Sequence, residues 1–271
     1  MTRRVLSRTT ASGPPDASRL PARSVIVSTL LGVSPPELPT RSLVATAELL
    51  GVAPGTARVA ISRLVTTGEL EATDDGYRLI GAPLLVRQSR QALSRRGADQ
   101  AWDGWWLMAV VTTEGRPAPE RAELRSATAA LRYGELRDGV WLRPDNLPSD
   151  VLPDAEALLA ERCTLLRSRP DEPGTVVDQL WDLDTWSNRA EALQDEIERL
   201  GDRLADGDPS ALADGFVASA DVLRHLQADA LLPADLLAPD WPGPRLRTTH
   251  RAYDDAFKAT LAAWLRTHTP M

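Results

Sequence analysis

Between Pro54 and Gly68, Thr56, Arg58, Val59, Ser62, Arg63 and Thr66 share one side of a helical period. Ala57, Ala60, Ile61 and Leu64 follow the i, i+3, i+4, i+7 rule on the other side. The first set has a coherent chemistry. An arginine fork matches the O6 and N7 acceptors of guanine, valine and threonine methyls suit the thymine methyl, and hydroxyls suit phosphate oxygens. Gly55 lets a backbone approach closely, and the N-terminus of a helix favours an anion. Such residues are suited to reading the major groove of double-stranded DNA.

A reading helix needs a small domain to hold it. Ala22 to Leu31 is an amphipathic helix ended by Gly32, and Val33 to Pro39 reads as a Pro-rich connector. Thr40 suits an N-cap for a helix from Arg41 to Leu50, stopped by Gly51, and Pro54 suits a first helical turn. Arg41 is placed to reach the DNA backbone. Glu69 to Thr73 and Tyr77 to Ile80 flank Asp74-Asp75-Gly76, a hairpin signal. Helix, helix, turn, helix, hairpin is the order of a winged helix-turn-helix. The acidic tip would repel phosphates, which leaves Arg78 on the return strand as the wing's DNA contact and gives the wing a minor role. Tyr77 packs under the sheet.

The remainder has two further styles. Pro83 to Asp99 reads as a connecting helix. After it come a strand-like run, Trp105 to Thr113, and a helix, Pro119 to Arg132. A hairpin of Glu135–Arg137 and Val140–Leu142, a helix from Asp154 to Arg162 and a strand from Cys163 to Ser168 follow. That order, β-α-β-β-α-β, is ferredoxin-like. The last hundred residues are helical, with buried stripes at Ala190, Leu193, Ile197, Leu200 and Leu204, at Leu212, Phe216, Ala220 and Leu223, and at Tyr253, Phe257, Leu261 and Trp264. The fold class expected is therefore α+β and multidomain. Residues 1–20 form a disordered leader, 21–82 a winged helix domain, 83–100 the connecting helix, 101–172 the ferredoxin-like domain and 173–271 a helical domain.

Charge divides along the same lines. The first 100 residues of 271 hold 13 arginines, no lysine and 8 carboxylates, whereas the whole chain carries −7. A basic head on an acidic body fits a module that meets an anionic surface while the rest does not compete for it. No apolar run approaches the roughly 20 residues of a membrane span, and Arg3-Arg4 is followed by no apolar core, so a cytoplasmic protein is expected.

Enzyme signatures are missing: no Gly-x-Ser-x-Gly, no phosphate-binding glycine loop and no His-Glu-x-x-His. His225, His250 and His268 share no metal spacing, and Cys163 sits in an apolar stretch as a small buried hydrophobe. No catalytic residue, metal or cofactor is assigned.

Three segments carry a family resemblance. Pro21-Ala22-Arg23-Ser24 with Thr56 to Val65, Trp105-Trp106-Leu107 with Gly139 to Leu147, and Leu231-Leu232-Pro233 with Asp240-Trp241-Pro242-Gly243 resemble, in order, the signatures of the PaaX family of bacterial transcriptional repressors. The resemblance implies a central domain similar to the Cas2 fold and a homodimer on a palindromic operator. It also implies release by a small-molecule effector, phenylacetyl-CoA or another aromatic acyl-CoA. On that reading Trp105 and Trp141 would wall an acyl pocket, Arg137 and Arg143 would hold a phosphate or carboxylate, and Asn146 would orient a polar atom or cap the next turn. The sequence departs from the family in its acidic wing and in Asp229-Ala230 where Asp-Pro is usual. The Cas2 likeness also raises an alternative, an enzyme or nuclease on the central sheet. The strand that would end in a metal-binding Asp ends here at Glu114.

Overall fold

The computed structural model describes residues 21–97, 101–112, 117–149 and 152–269. The expected leader and Glu114 lie outside them. The head begins with α1 (Ala22–Leu31), β1 (Glu37–Pro39), α2 (Thr40–Leu49) and α3 (Pro54–Thr66), and closes with β2 (Leu70–Ala72) and β3 (Gly76–Leu79). Its core is Ile26, Leu30, Leu43, Ala47, Ala57, Ile61, Leu64, Leu70 and Leu79, drawn from every element but β1. Gly51, at φ 83°, and Gly68, at φ 71°, end α2 and α3 in a conformation that costs other residues free energy.

Two local expectations change. Thr40 lies inside α2 rather than capping it, with its hydroxyl on the Asp75 carbonyl at 3.4 Å. The connector contains a strand: β1 pairs antiparallel with β3, so the sheet order is β1-β3-β2. Proline at position 39 is tolerated because β1 is an edge. Gly76 is needed because a Cβ there would collide with the Leu38 carbonyl of β1.

The connecting helix α4 (Ala82–Arg96) leads to the central sheet. Its elements are β4 (Trp106–Val111), α5 (Ala118–Ala130), β5 (Gly134–Arg137), β6 (Val140–Pro144), α6 (Pro153–Arg162) and β7 (Cys163–Ser168). Every pairing is antiparallel and the order is β5-β6-β4-β7, as a ferredoxin-like fold requires. Strand alternation splits the apolar residues between two cores. Ala109, Trp141 and Cys163 face α5 and α6 through Leu124, Ala127 and Leu159. Trp106, Val140 and Leu142 face the other way.

That second face is covered from the C-terminal part, which consists of α7 (Pro173–Leu180), α8 (Leu183–Ala205), α9 (Leu212–Gln227) and α10 (Gly243–His268). Val177 of α7, with Ala230 and Leu232 from the segment after α9, packs on Trp106 and Leu142. Asp182 caps α8 by accepting from the Thr185 amide at 3.0 Å. The helices close on Ala190, Leu193, Ile197, Leu200, Val222, Leu226, Leu246 and Tyr253. Of the second expected stripe only Leu212 is buried, and α9 turns Gly215, Ala218, Val222 and Leu226 inward instead. Of the third only Tyr253 is buried, while Phe257, Leu261 and Trp264 are half-buried.

A buried polar junction ties three parts of the chain together. The Arg247 guanidinium of α10 pairs with Asp229 at 2.5 Å and donates to the Ser94 carbonyl of α4 at 2.8 Å. Arg132, just after α5, donates to the Ser94 hydroxyl at 2.8 Å and to the Gln227 carbonyl. Asp229 also accepts from the Leu231 amide at 3.0 Å, and the Leu231 carbonyl accepts from Asn146 at 2.8 Å. Burial lowers the Arg132 pKa to about 10, which still leaves it charged at neutral pH. Two guanidiniums beside one carboxylate are tolerable here because two backbone carbonyls and a hydroxyl take further donors, although the Arg132 Nε finds no partner among the described residues.

Candidate nucleic-acid interface

Helix α3 divides as its period demands. Ala57, Ala60, Ile61 and Leu64 are buried against α1 and α2, and Thr56, Arg58, Val59, Ser62, Arg63 and Thr66 are all exposed. Val59 is 52% exposed, a large apolar side chain left in water on an otherwise polar face. A single exposed apolar side chain is ordinary on a protein surface, but in this position it suits contact with a thymine methyl. Thr66 donates its hydroxyl to the Ser62 carbonyl at 3.0 Å.

The start of α3 is open. Pro54 is its first residue, Ala53 supplies no side-chain cap, and no acidic residue lies in the first turn. Gly55 has no neighbouring atom within 4 Å of where a Cβ would stand, so packing within the described residues does not require a glycine there. Uncapped amides at the positive end of a helix dipole suit a phosphate. Arg41, exposed in the first turn of α2, adds a cation to the head.

The wing is arranged differently. Asp74 and Asp75 are exposed at its tip. Arg78 reaches Glu37 of β1 with both Nε, at 2.9 Å, and Nη2, at 2.7 Å. Those hydrogen bonds hold the Glu37 carboxyl below its usual range and the Arg78 guanidinium above its own. Arg78 thus has an acidic partner that the sequence did not disclose, because β1 read as a connector.

The residues expected to bind a ligand are dispersed. Trp105 stands half-exposed with the guanidiniums of Arg167 and Arg169 each 5.0 Å from its ring. Trp141 is core beneath α5 and α6. Arg143 is buried on that face, 5.3 Å over the Tyr133 ring, donating to the Pro144 carbonyl at 3.1 Å. Arg137 is exposed at the end of β5, and Asn146 is buried in the polar junction. Two large cavities, about 540 and about 470 Å³, lie elsewhere, and neither is lined by any of the five.

Sequence reasoning missed Ser94, Arg132, Asp229 and Arg247. The one available signal was Asp229 beside the Leu231-Leu232-Pro233 segment, whose prolines required anchoring from elsewhere. Histidines are structural in setting: His225 stacks on Trp186 at 4.4 Å, and His250 bonds Ser219 at 3.0 Å. Among the described residues no three His, Cys, Asp or Glu side chains gather as metal ligands. No described helix is long and apolar enough to cross a membrane.

A winged head, a ferredoxin-like sheet and a helical C-terminal unit, joined in that order, define a three-part architecture in which one face of α3 is exposed. Comparison with known proteins matches residues 21–82 to the PaaX-like protein model, 99–179 to the PaaX protein central Cas2-like domain, and 181–267 to the PaaX-like protein C-terminal domain. The chain belongs to the PaaX family, as a PaaX-like regulator. Among solved structures it is similar to the uncharacterized protein Rv0674 from Mycobacterium tuberculosis. The two share 40% identity with a TM-score of 0.68, over 89% of this chain and 97% of that one. No curated protein sequence matches it.

Proposed function

We propose that the protein is a dimeric, sequence-specific transcriptional repressor whose α3 enters the major groove, and that a small-molecule effector, an aromatic acyl-CoA or a related compound, releases it. The observation that carries this reading is the outward face of α3: two arginines, three hydroxyl side chains and Val59, all exposed. Arg58 and Arg63 supply base or phosphate contacts, Val59 and the Thr56 and Thr66 methyls meet thymine, and Gly55 with Ser62 and Arg41 serve the backbone. With Glu37 occupying Arg78, the wing contributes least.

The dimer reading is supported by β7. It is a sheet edge, and Leu165 and Leu166, on opposite faces, are 49% and 48% exposed. An edge strand carrying exposed leucines is a surface that proteins ordinarily cover, and a second copy covers it symmetrically. Two heads related by a twofold axis then match a palindromic operator.

Operator affinity of the double variant Arg58→Ala/Arg63→Ala, measured by fluorescence anisotropy on the duplex selected from random sequence, tests the reading. Each arginine–guanine contact is worth about 1–3 kcal/mol, so a loss of about 100-fold is expected. Unchanged affinity and specificity would remove α3 as the reading helix.

A further inference from the structure

The cavity of about 470 Å³ lies where the head, the connecting helix and the C-terminal unit meet. Thr29, Leu31, Val33, Leu38 and Thr46 are among the residues that reach it from the head, Gln91 and Arg95 come from α4, and α9 and α10 supply the other side of the wall. Its size is that of a small-molecule pocket rather than a packing fault. Leu31, Val33, Phe216, Leu223, Phe257 and Leu261 make most of the wall apolar.

The polar groups have a pattern of their own. Arg95, Arg224 and Lys258 face a single carboxylate in the wall, Asp254, which Lys258 holds at 2.7 Å. Arg224 pairs at 2.8 Å with Asp221. His250, behind Ser219, adds no charge, since burial pushes its pKa down to about 4. The wall is therefore cationic in balance. On the head side, the buried hydroxyls of Thr29 and Thr46 find no hydrogen-bond partner among the described residues. Buried donors without acceptors are rare, and a carbonyl or carboxylate brought close by a small adjustment of the helices would satisfy them.

We propose that this cavity binds an apolar carboxylic acid or its acyl derivative. The apolar body lies among Phe216, Leu223, Phe257 and Leu261, and the oxygen-bearing end lies toward Arg95 and the two threonines. An occupant touches the head and the body at once, so it binds one arrangement of the two better than another and shifts the head accordingly. That consequence rests on the repressor reading; the binding itself does not.

The test uses the full chain and three probes: 2-naphthoate, decanoate and decanoyl-CoA. Isothermal titration and thermal shift are expected to show saturable binding of at least one of them, with a melting point several degrees higher at saturation. Ala220→Trp, which fills the cavity, is expected to abolish it. Ala262→Trp at an exposed position of the wall blocks the cavity without burdening the fold, should the first variant not fold. Arg95→Gln is expected to weaken binding about tenfold, the scale of one charge-assisted contact. Ser126→Trp, in the 540 Å³ cavity, should bind as wild type. Binding of the thioester alone, lost in the tryptophan variants, supports an acyl chain entering with its carrier outside. No saturable binding, or binding that survives the tryptophan variants, overturns the proposal. Anisotropy with the operator on the same samples separates the two readings: DNA binding without acid binding sinks only the pocket, and acid binding without DNA binding sinks only the repressor.

Discussion

Three arginines of the head and three of the body have opposite surroundings. Arg41, Arg58 and Arg63 stand in water on the head, whereas Arg132, Arg143 and Arg247 are each less than 9% exposed in the body. The same side chain that would read a base edge in one region satisfies backbone carbonyls in the other. A count of basic residues cannot separate the two uses. What separates them is the partner: Arg41, Arg58 and Arg63 face open solvent, and the three buried ones face Asp229, Ser94, Gln227 or an aromatic ring.

The comparison can be broken by mutation. Asp229→Ala leaves two buried guanidiniums without their carboxylate and is expected to cost about 3–5 kcal/mol of stability, read as a lower urea midpoint. A loss under about 1 kcal/mol would show that the junction is solvated in solution. By contrast, Arg58→Ala/Arg63→Ala should leave the urea midpoint within about 0.5 kcal/mol of wild type while operator affinity falls about 100-fold.

Next in size is a pH effect in the body. His250 has a folded pKa lowered to about 4, below its unfolded value, so the unfolded chain binds the proton first. Stability from this group is complete above about pH 6.5 and is lost as pH falls toward 4, on the order of 3 kcal/mol. His250→Asn should flatten that part of the pH–stability curve; an unchanged slope would assign it to other groups.

The smallest effect belongs to the wing. Arg78→Gln removes a solvent-exposed pair with Glu37, and neither the urea midpoint nor operator affinity should move measurably. A clear loss of affinity would return Arg78 to the interface and show that Glu37 releases it on DNA.

Much of the fold was legible because it is local. The 3.6-residue period of α3 sorted Ala57, Ala60, Ile61 and Leu64 inward and the six candidate contacts outward, and the coordinates agree residue by residue. Asp138-Gly139 marked its hairpin, and the β-α-β-β-α-β order needed only one antiparallel closure. The expected ligand residues fared differently. Arg137, Trp141, Arg143 and Asn146 lie within ten residues, yet Arg137 is exposed at the end of β5, and Trp141 and Arg143 are buried on one face of the sheet. Asn146 is held by the Leu231 carbonyl, while Trp105 stands apart before β4. Nearness in sequence was no guide to sharing a cavity.

From the amino-acid order alone came the helix that faces outward, the three-part architecture and the family signatures, since periodicity, turn residues and short motifs act within a few residues of themselves. Tertiary structure alone decided that Glu37 joins Arg78, that Asp229 anchors Arg247 beside Ser94, and that the head, α4 and the last two helices enclose a cavity. Each of these joins residues from distant parts of the chain, where burial and hydrogen-bond satisfaction, rather than local preference, determine which groups meet.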